Sequence, residues 1–335
     1  MEVPIMKVKN SIINICKALI LPVAVWIVFA ILTGGRFSTW VNLLSIIRTS
    51  IVPLLIAMSM AFGMFMGIWN FASGAVVFAC SIFAAKISGA LGLGVLGMCF
   101  FSILIGVALC ALMGGLYRVL RIPCLVLSLG FAMVVEALPG IFIADSSGKI
   151  KLIEGFLGTS PWCYIIVLVM FLLFAYITNF TTLGANVRAI GSDIKIADSA
   201  GINIDRVKFI TFLLAGLFLG VAGIVYLSIN VTVIGVLGFA SAGMIFNGIM
   251  GIFIAFVLER YVNISFAVVI GTVVMRMIGA GLIACGLSSE IQGILTGTFL
   301  LIVVTYSANA GLMDRIKSRK AVAAKADAEF AKTVS

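Results

Sequence analysis

The sequence predicts an all-α, polytopic membrane protein with about ten transmembrane helices and both termini in the cytoplasm. Three observations carry this. Of 335 residues, 63% are hydrophobic and only 10% are charged, whereas a soluble domain carries about 25% charged residues. The apolar residues fall in long unbroken runs, and the mean hydropathy is +1.29. Lys and Arg gather in alternate connections between those runs, which is the charge asymmetry that orients membrane helices.

A spanning helix needs roughly 20 apolar residues. Runs of that kind lie near 11–33, 48–68, 70–87, 92–116, 123–144, 161–180, 207–229, 240–258, 263–285 and 289–308. Residues 68–70 read either as a loop or as a break within a longer hairpin. Residues 230–240, "NVTVIGVLGFA", read either as a crossing connection or as a re-entrant segment. The stretch 145–162 is the longest outer connection and has room for a short surface helix. Residues 1–310 form one transmembrane domain, and 311–335 a basic, Ala-rich cytoplasmic tail.

With the N-terminus inside, sixteen Lys and Arg fall on the cytoplasmic side. Five fall outside: Arg36, Arg48, Lys86, Lys149 and Lys151. Arg276 remains within a span. An even number of spans also places both termini on one side, so count and charge agree. No secretory signal peptide is expected, because no small-residue cleavage site follows the first apolar run.

Composition also excludes chemistry. The chain has no histidine, the commonest general base and metal ligand. Its seven cysteines form no C-x-x-C pair, so neither a zinc site nor a disulfide framework is indicated. The phosphate-binding pattern G-x-x-x-x-G-K-[ST] is absent. The net charge of +10 sits beside apolar segments, which favours membrane topology over nucleic acid.

One internal stretch breaks the pattern: "TTLGANVRAIGSDIKIADSAGINIDRVK", residues 181–208. By charge it faces the cytoplasm. "SDIKIADSA" suits a short helix, with Ser192 or Asp193 as N-cap and Gly201 as a left-handed stop. Ile194, Ala197 and Ala200 or Gly201 recur at helical spacing and would form a small apolar face, with Asp193, Lys195 and Asp198 around it. Such a helix is too short to stand alone, so it must pack on something. A groove in a cytoplasmic partner is the functional expectation, with Ala197 at the contact.

The pattern T-x-L-G-x-x-x-x-A-I-G-x-x-x-x-x-A-x-x-x-G-I, followed by "FLLAGLFLGVAGIVYL", resembles the permease subunits of ribose-type ABC importers, relatives of which carry nucleosides and branched-chain amino acids. Its matching residues include Thr182, Leu183, Gly184, Ala189, Ile190, Gly191, Ala197, Gly201 and Ile202. Residues 41–75 and 270–304 are similar to further parts of that family. The resemblance implies a coupling helix in loop 181–206, formed by Gly191, Ser192, Asp193, Ile194, Ala197, Asp198 and Gly201. It implies four kinds of partner: a separate cytoplasmic ABC ATPase, an extracellular or periplasmic solute-binding protein, a second permease subunit, identical or not, and membrane lipid. It implies no cofactor in this chain, ATP and Mg belonging to the ATPase, and a place in the inner or plasma membrane of a prokaryote.

Three stretches depart from the family's pattern. Trp69, Asn70, Phe71 and Ala72 stand where it has I-D-L-S. Glu136 stands where it usually has Arg. "MGIFIAFVLERYVNISFA", residues 250–267, replaces a Gly-rich inner loop. The expected solute path comprises Trp69, Asn70, Ser73, Glu136 and Arg276. An aromatic beside an amide suits a neutral polyol. Charges within spans cost roughly 2.5–3.5 kcal/mol on insertion scales and so should face a cavity or a partner. Glu136 and Arg276 could equally form a structural ion pair. Pairs of glycines four apart, Gly63/Gly67, Gly216/Gly220 and Gly293/Gly297, are read as helix-packing positions. An ion-coupled secondary transporter and a membrane scaffold are the competing classes.

Overall fold

The computed structural model describes residues 3–143, 147–288, 291–299, 301–302 and 305. The chain is a helical bundle. In order it runs α1 (Val3–Leu32), a 3-10 turn (Arg36–Ser38), α2 (Trp40–Met64), α3 (Ser73–Leu91), α4 (Gly94–Leu120) and α5 (Cys124–Phe142). It continues with β1 (Ser147–Lys149), a 3-10 helix (Leu152–Gly158), α6 (Trp162–Phe180), α7 (Thr182–Ser192), α8 (Ile194–Ser199) and α9 (Ile204–Asn230). β2 (Thr232–Ile234), α10 (Ala242–Leu258) and α11 (Ile264–Ala284) follow.

Seven of these helices are long and apolar enough to cross a membrane: α2, α3, α4, α5, α6, α9 and α11. The apolar stretches Lys17–Leu32 and Ala242–Leu258 are shorter. The expected span over 289–308 lies only partly among the described residues, of which 291–299 are helical. The tail 311–335 lies outside them. Large side chains such as Ile31, Leu96, Leu172 and Phe180 stand on the bundle surface, as a lipid solvent permits.

At the centre is α9, packed on α4, α2 and α3. Its contact with α4 brings the two backbones close together. A Cβ on Gly220 would lie 2.7 Å from the Ile103 Cα, and one on Gly106 would lie 2.5 Å from the Gly216 carbonyl oxygen. Only glycine permits backbones this near. Hydroxyls bridge to α9 from two sides: Ser102 of α4 donates to the Gly220 carbonyl at 2.7 Å and Ser81 of α3 donates to the Gly223 carbonyl at 2.9 Å. The packing expectation therefore holds at Gly216/Gly220. It fails at Gly63/Gly67, where Gly67 has φ +73° and both glycines close the turn after α2. Gly293 and Gly297 meet nothing within 4 Å among the described residues.

Three further expectations are corrected and one open alternative is decided. The architecture is not wholly α, because β1 and β2 pair antiparallel across two long connections. The second and third spans are α2 and α3, displaced from 48–68 and 70–87, and eight non-helical residues, 65–72, separate them. The polar loop holds two helices, α7 and α8, instead of one. Residues 235–241 do not simply cross between spans. They turn back into the bundle, and Ser241 is fully buried there.

The two breaks resemble one another. "NFASGAVVF" at 70–78 leads into α3, and "GFASAGMIF" at 238–246 leads into α10. Phe71 and Phe239, and Ser73 and Ser241, occupy matching positions at the starts of matching helices. α2 and α9 precede the breaks, and α4 and α11 follow the helices after them. The chain thus contains an internal repeat. Its two breaks sit toward opposite ends of the bundle: Phe65 lies beside loop 181–206, whereas β2 pairs at the far end.

Candidate functional site

The loop comes first. Thr181 caps α7, its Oγ1 accepting from the Gly184 N–H at 3.3 Å. Val187 and Ile190 are buried along one side of that helix. Asp193 then caps α8: its Oδ1 accepts from the backbone N–H of Lys195 at 2.8 Å and of Ile196 at 3.2 Å. Ser192 is not the cap; its hydroxyl donates to the Ala189 carbonyl. Gly201 has φ +79° and ends the helix, as the sequence suggests.

The face is not the one expected. Ala197 is 2% exposed and shares a buried cluster with Val187, Ile190 and Val207 of the permease itself. Ile194 and Ile196 instead stand outward, at 49% and 68% exposed. Asp198 is also exposed. The small alanine lets α8 lie flat on its own scaffold, and that leaves the two isoleucines free. Gly191 fixes the seat, because a side chain there would run into the Phe65 carbonyl, the first residue of the break after α2. A cleft of about 250 Å³ opens beside this contact, lined by Phe65, Arg188, Phe256 and Glu259. Burial raises the Glu259 carboxyl above the ordinary carboxylate range, and the nearby Arg188 guanidinium draws it partly back.

The breaks form the second part. Asn70 Oδ1 accepts from the Ala72 N–H at 3.0 Å, and the Ser73 hydroxyl donates to the Asn70 carbonyl at 3.0 Å. Trp69 stacks on Phe71 at 6.4 Å and 9° and tilts against Phe253 at 5.5 Å. Its carbonyl accepts from the Ser128 hydroxyl at 3.2 Å. These contacts shape the turn into α3, so the Asn70 side-chain oxygen and one face of Trp69 are engaged within the protein. A Cβ on Gly74 would lie 2.6 Å from the Ser241 carbonyl oxygen. The helix start that follows the first break therefore touches the second break at Ser241.

Glu136 is 3% exposed and reaches from α5 to the second break. Its two carboxylate oxygens accept from the backbone N–H of Phe239 at 2.7 Å and of Ser241 at 3.0 Å. Gly238 and Phe239 both have positive φ, 72° and 64°, and successive N–H groups in such a turn converge on an anion. The carboxylate also sits at the positive end of α10. Glu136 is thus the cap of a buried helix start, and it does not pair with Arg276. Arg276 lies in α11, its Nε buried without a partner among the described residues. Its side chain forms part of the wall of a separate cavity of about 710 Å³. Trp69, Asn70, Ser73 and Glu136 are not in that wall.

A bundle of apolar helices with two interruptions and a polar loop seated on one of them is the build of a multi-pass membrane permease. Residues 42–304 match the family described as the permease component of a branched-chain amino acid transport system, and the chain belongs to that family. It is also 31% identical, over 216 residues, to a probable ABC transporter permease protein, YphD, of Escherichia coli (strain K12). That match covers 60% of this chain and 61% of the relative, so the chain spans about three fifths of the curated relative's length. The internal repeat and the outward isoleucines escaped the sequence reading. The matched "FAS" tripeptides at 71–73 and 239–241 were the available signal for the repeat.

Proposed function

We propose that this chain is the membrane permease subunit of an ABC importer, with ten spans and both termini cytoplasmic, in the cell membrane of a prokaryote. It carries a small polar solute of the monosaccharide class. Its partners are a separate cytoplasmic ATPase, a solute-binding protein outside and a second permease subunit. ATP and Mg are bound by the ATPase, and this chain performs no covalent chemistry. The observation that carries the reading is the seat of loop 181–206. α8 lies on the permease with Ile194 and Ile196 outward, and Gly191 abuts the first residue of a helix break. A push on α8 is delivered through Gly191 of α7 to the break, and α3, into which the break leads, touches the second break at Ser241 through Gly74. Discontinuous helices are tolerated in membranes where they meet protein or line a cavity, and they are natural places for access to alternate.

An ion-coupled transporter is less well supported. Its best acidic group would be Glu136, and that carboxylate is occupied by two backbone N–H groups. Nucleoside and branched-chain amino acid import remain as alternative cargo of the same machine. The test is co-purification with an ATPase encoded beside the gene, followed by reconstitution with the binding protein. ATP-dependent uptake of D-ribose or of D-gluconate by the assembled vesicles supports the reading. Uptake that needs an ion gradient and no ATPase overturns it.

A further inference from the structure

A large cavity lies away from loop 181–206, at the end of the bundle where Arg36 joins α1 to α2. It has a volume of about 710 Å³, which suits a monosaccharide-sized solute, and Arg276 stands deep in its wall. Its lining is chemically one-sided. Two guanidiniums, Arg36 and Arg276, contribute to it, and no carboxylate does among the described residues. The amides are also aligned. Asn42 donates its Nδ2 to the Arg36 carbonyl at 2.7 Å, Asn247 to the Gly243 carbonyl at 3.1 Å, and Gln292 its Nε2 to the Leu287 carbonyl at 2.8 Å. With one N–H of each engaged on backbone, the three amides keep their side-chain oxygens and one further N–H apiece. Such a wall holds hydrogen-bond acceptors for hydroxyl groups and positive donors for an anion.

We infer that this cavity is a solute subsite for a polyhydroxylated monocarboxylate, a sugar acid, with the carboxylate on Arg276 and Arg36 and the hydroxyls on the amide oxygens. The inference rests on the importer reading above and narrows its solute. A neutral sugar would leave the buried Arg276 Nε unpaired, and a buried donor without a partner is unfavourable. An amino acid would bring an ammonium group into a wall that already holds two guanidiniums. A carboxylate supplies the buried Arg276 Nε–H with a charge-assisted hydrogen bond, the strongest kind available to a side chain, in a wall to which Arg36 adds a second positive charge.

The test uses the full chain in lipid nanodiscs, with native cysteines replaced by alanine and Ala280→Cys as a reporter in the cavity wall. The rate of maleimide labelling is measured against increasing D-gluconate, D-sorbitol and L-leucine. Gluconate is expected to slow labelling at millimolar concentration, with sorbitol and leucine much weaker. Arg276→Gln should raise the half-protecting gluconate concentration by roughly tenfold or more and leave the weak sorbitol effect unchanged. Arg36→Gln, at an exposed position, should shift it in the same direction and serves if Arg276→Gln does not fold. Equal protection by sorbitol and gluconate overturns the inference, as does protection by none of the three, or gluconate protection indifferent to both arginine variants. The labelling requires no ATPase, so failure of the importer reading would show in co-purification and leave this result standing.

Discussion

Glu136 offers the sharpest test of the architecture. Its carboxylate holds two N–H groups at the start of α10, at 2.7 and 3.0 Å, in a place that is 3% exposed. Glu136→Ala leaves both donors without a partner. Each buried donor so orphaned costs about 1–3 kcal/mol, so the loss is about 2–6 kcal/mol before any cavity is counted. Glu136→Gln keeps one acceptor but turns an NH2 group toward the other N–H, so it should lose about 1–3 kcal/mol. Unfolding of the three proteins in detergent, followed by tryptophan fluorescence and by retention on size exclusion after heating, should rank wild type above Gln above Ala. An alanine variant as stable as wild type would refute the cap. If the glutamine variant kept full stability but lost transport, the carboxylate would be acting on solute or protons instead.

Three further outcomes follow from the packing and the charges. Gly220→Val drives a branched side chain into the Ile103 backbone, 2.7 Å from the Cβ position, and overpacking of at least about 1–3 kcal/mol should lower membrane yield, while Gly243→Val, which meets nothing within 4 Å, should not. Glu259 has a folded pKa raised by burial, so its contribution to stability is present below the ordinary carboxylate range and is lost as pH rises through the raised value. Glu259→Gln should flatten the stability curve in that window and gain a little at neutral pH; an unchanged slope counts against it. Single cysteines at Lys149 and Arg206 should label from opposite sides of intact cells, and same-side labelling would overturn the charge-based topology.

The membrane class was legible because the hydrophobic signal is carried by every residue of a span. The polar loop was legible because it violates that signal, and its caps at Asp193 and Gly201 follow local rules of helix termini. What escaped depends on contacts distant in sequence. Glu136 meets its partners 103 and 105 residues away, and nothing around position 136 announces a helix start elsewhere. The sheet has the same origin, since β1 and β2 have only three residues each and exist because two connections meet. Ala197 misled for another reason. On a helix of six residues the small face and the large face can each be the buried one, and close approach to the scaffold selected alanine. The shift of α2 and α3 reflects hydropathy that runs unbroken through Met66 and Ile68, so only the backbone reveals where the helix stops.

Docking and transmission should separate at loop 181–206. Ile194 and Ile196 stand outward on α8, whereas Gly191 faces the Phe65 carbonyl. Ile196→Asp puts a charge on the outward face and leaves the seat untouched. It should retain membrane yield and stability yet lose the ATPase in a pull-down. Gly191→Ala leaves the outward face unchanged but forces α7 away from the break, since backbone opposes the added methyl. It should retain the ATPase and lose the stimulation of ATP hydrolysis by loaded binding protein in reconstituted vesicles. Ala197→Trp belongs to neither class: its side chain would have to enter the cluster of Val187, Ile190 and Val207, so it should fail by misfolding the loop. If Ile196→Asp binds and stimulates like wild type, α8 is a surface connection. If Gly191→Ala couples normally, force reaches the breaks by another route than Phe65. Both results together would leave the loop no visible part in coupling, because its most exposed apolar side chain and its tightest seat would each have been removed without effect.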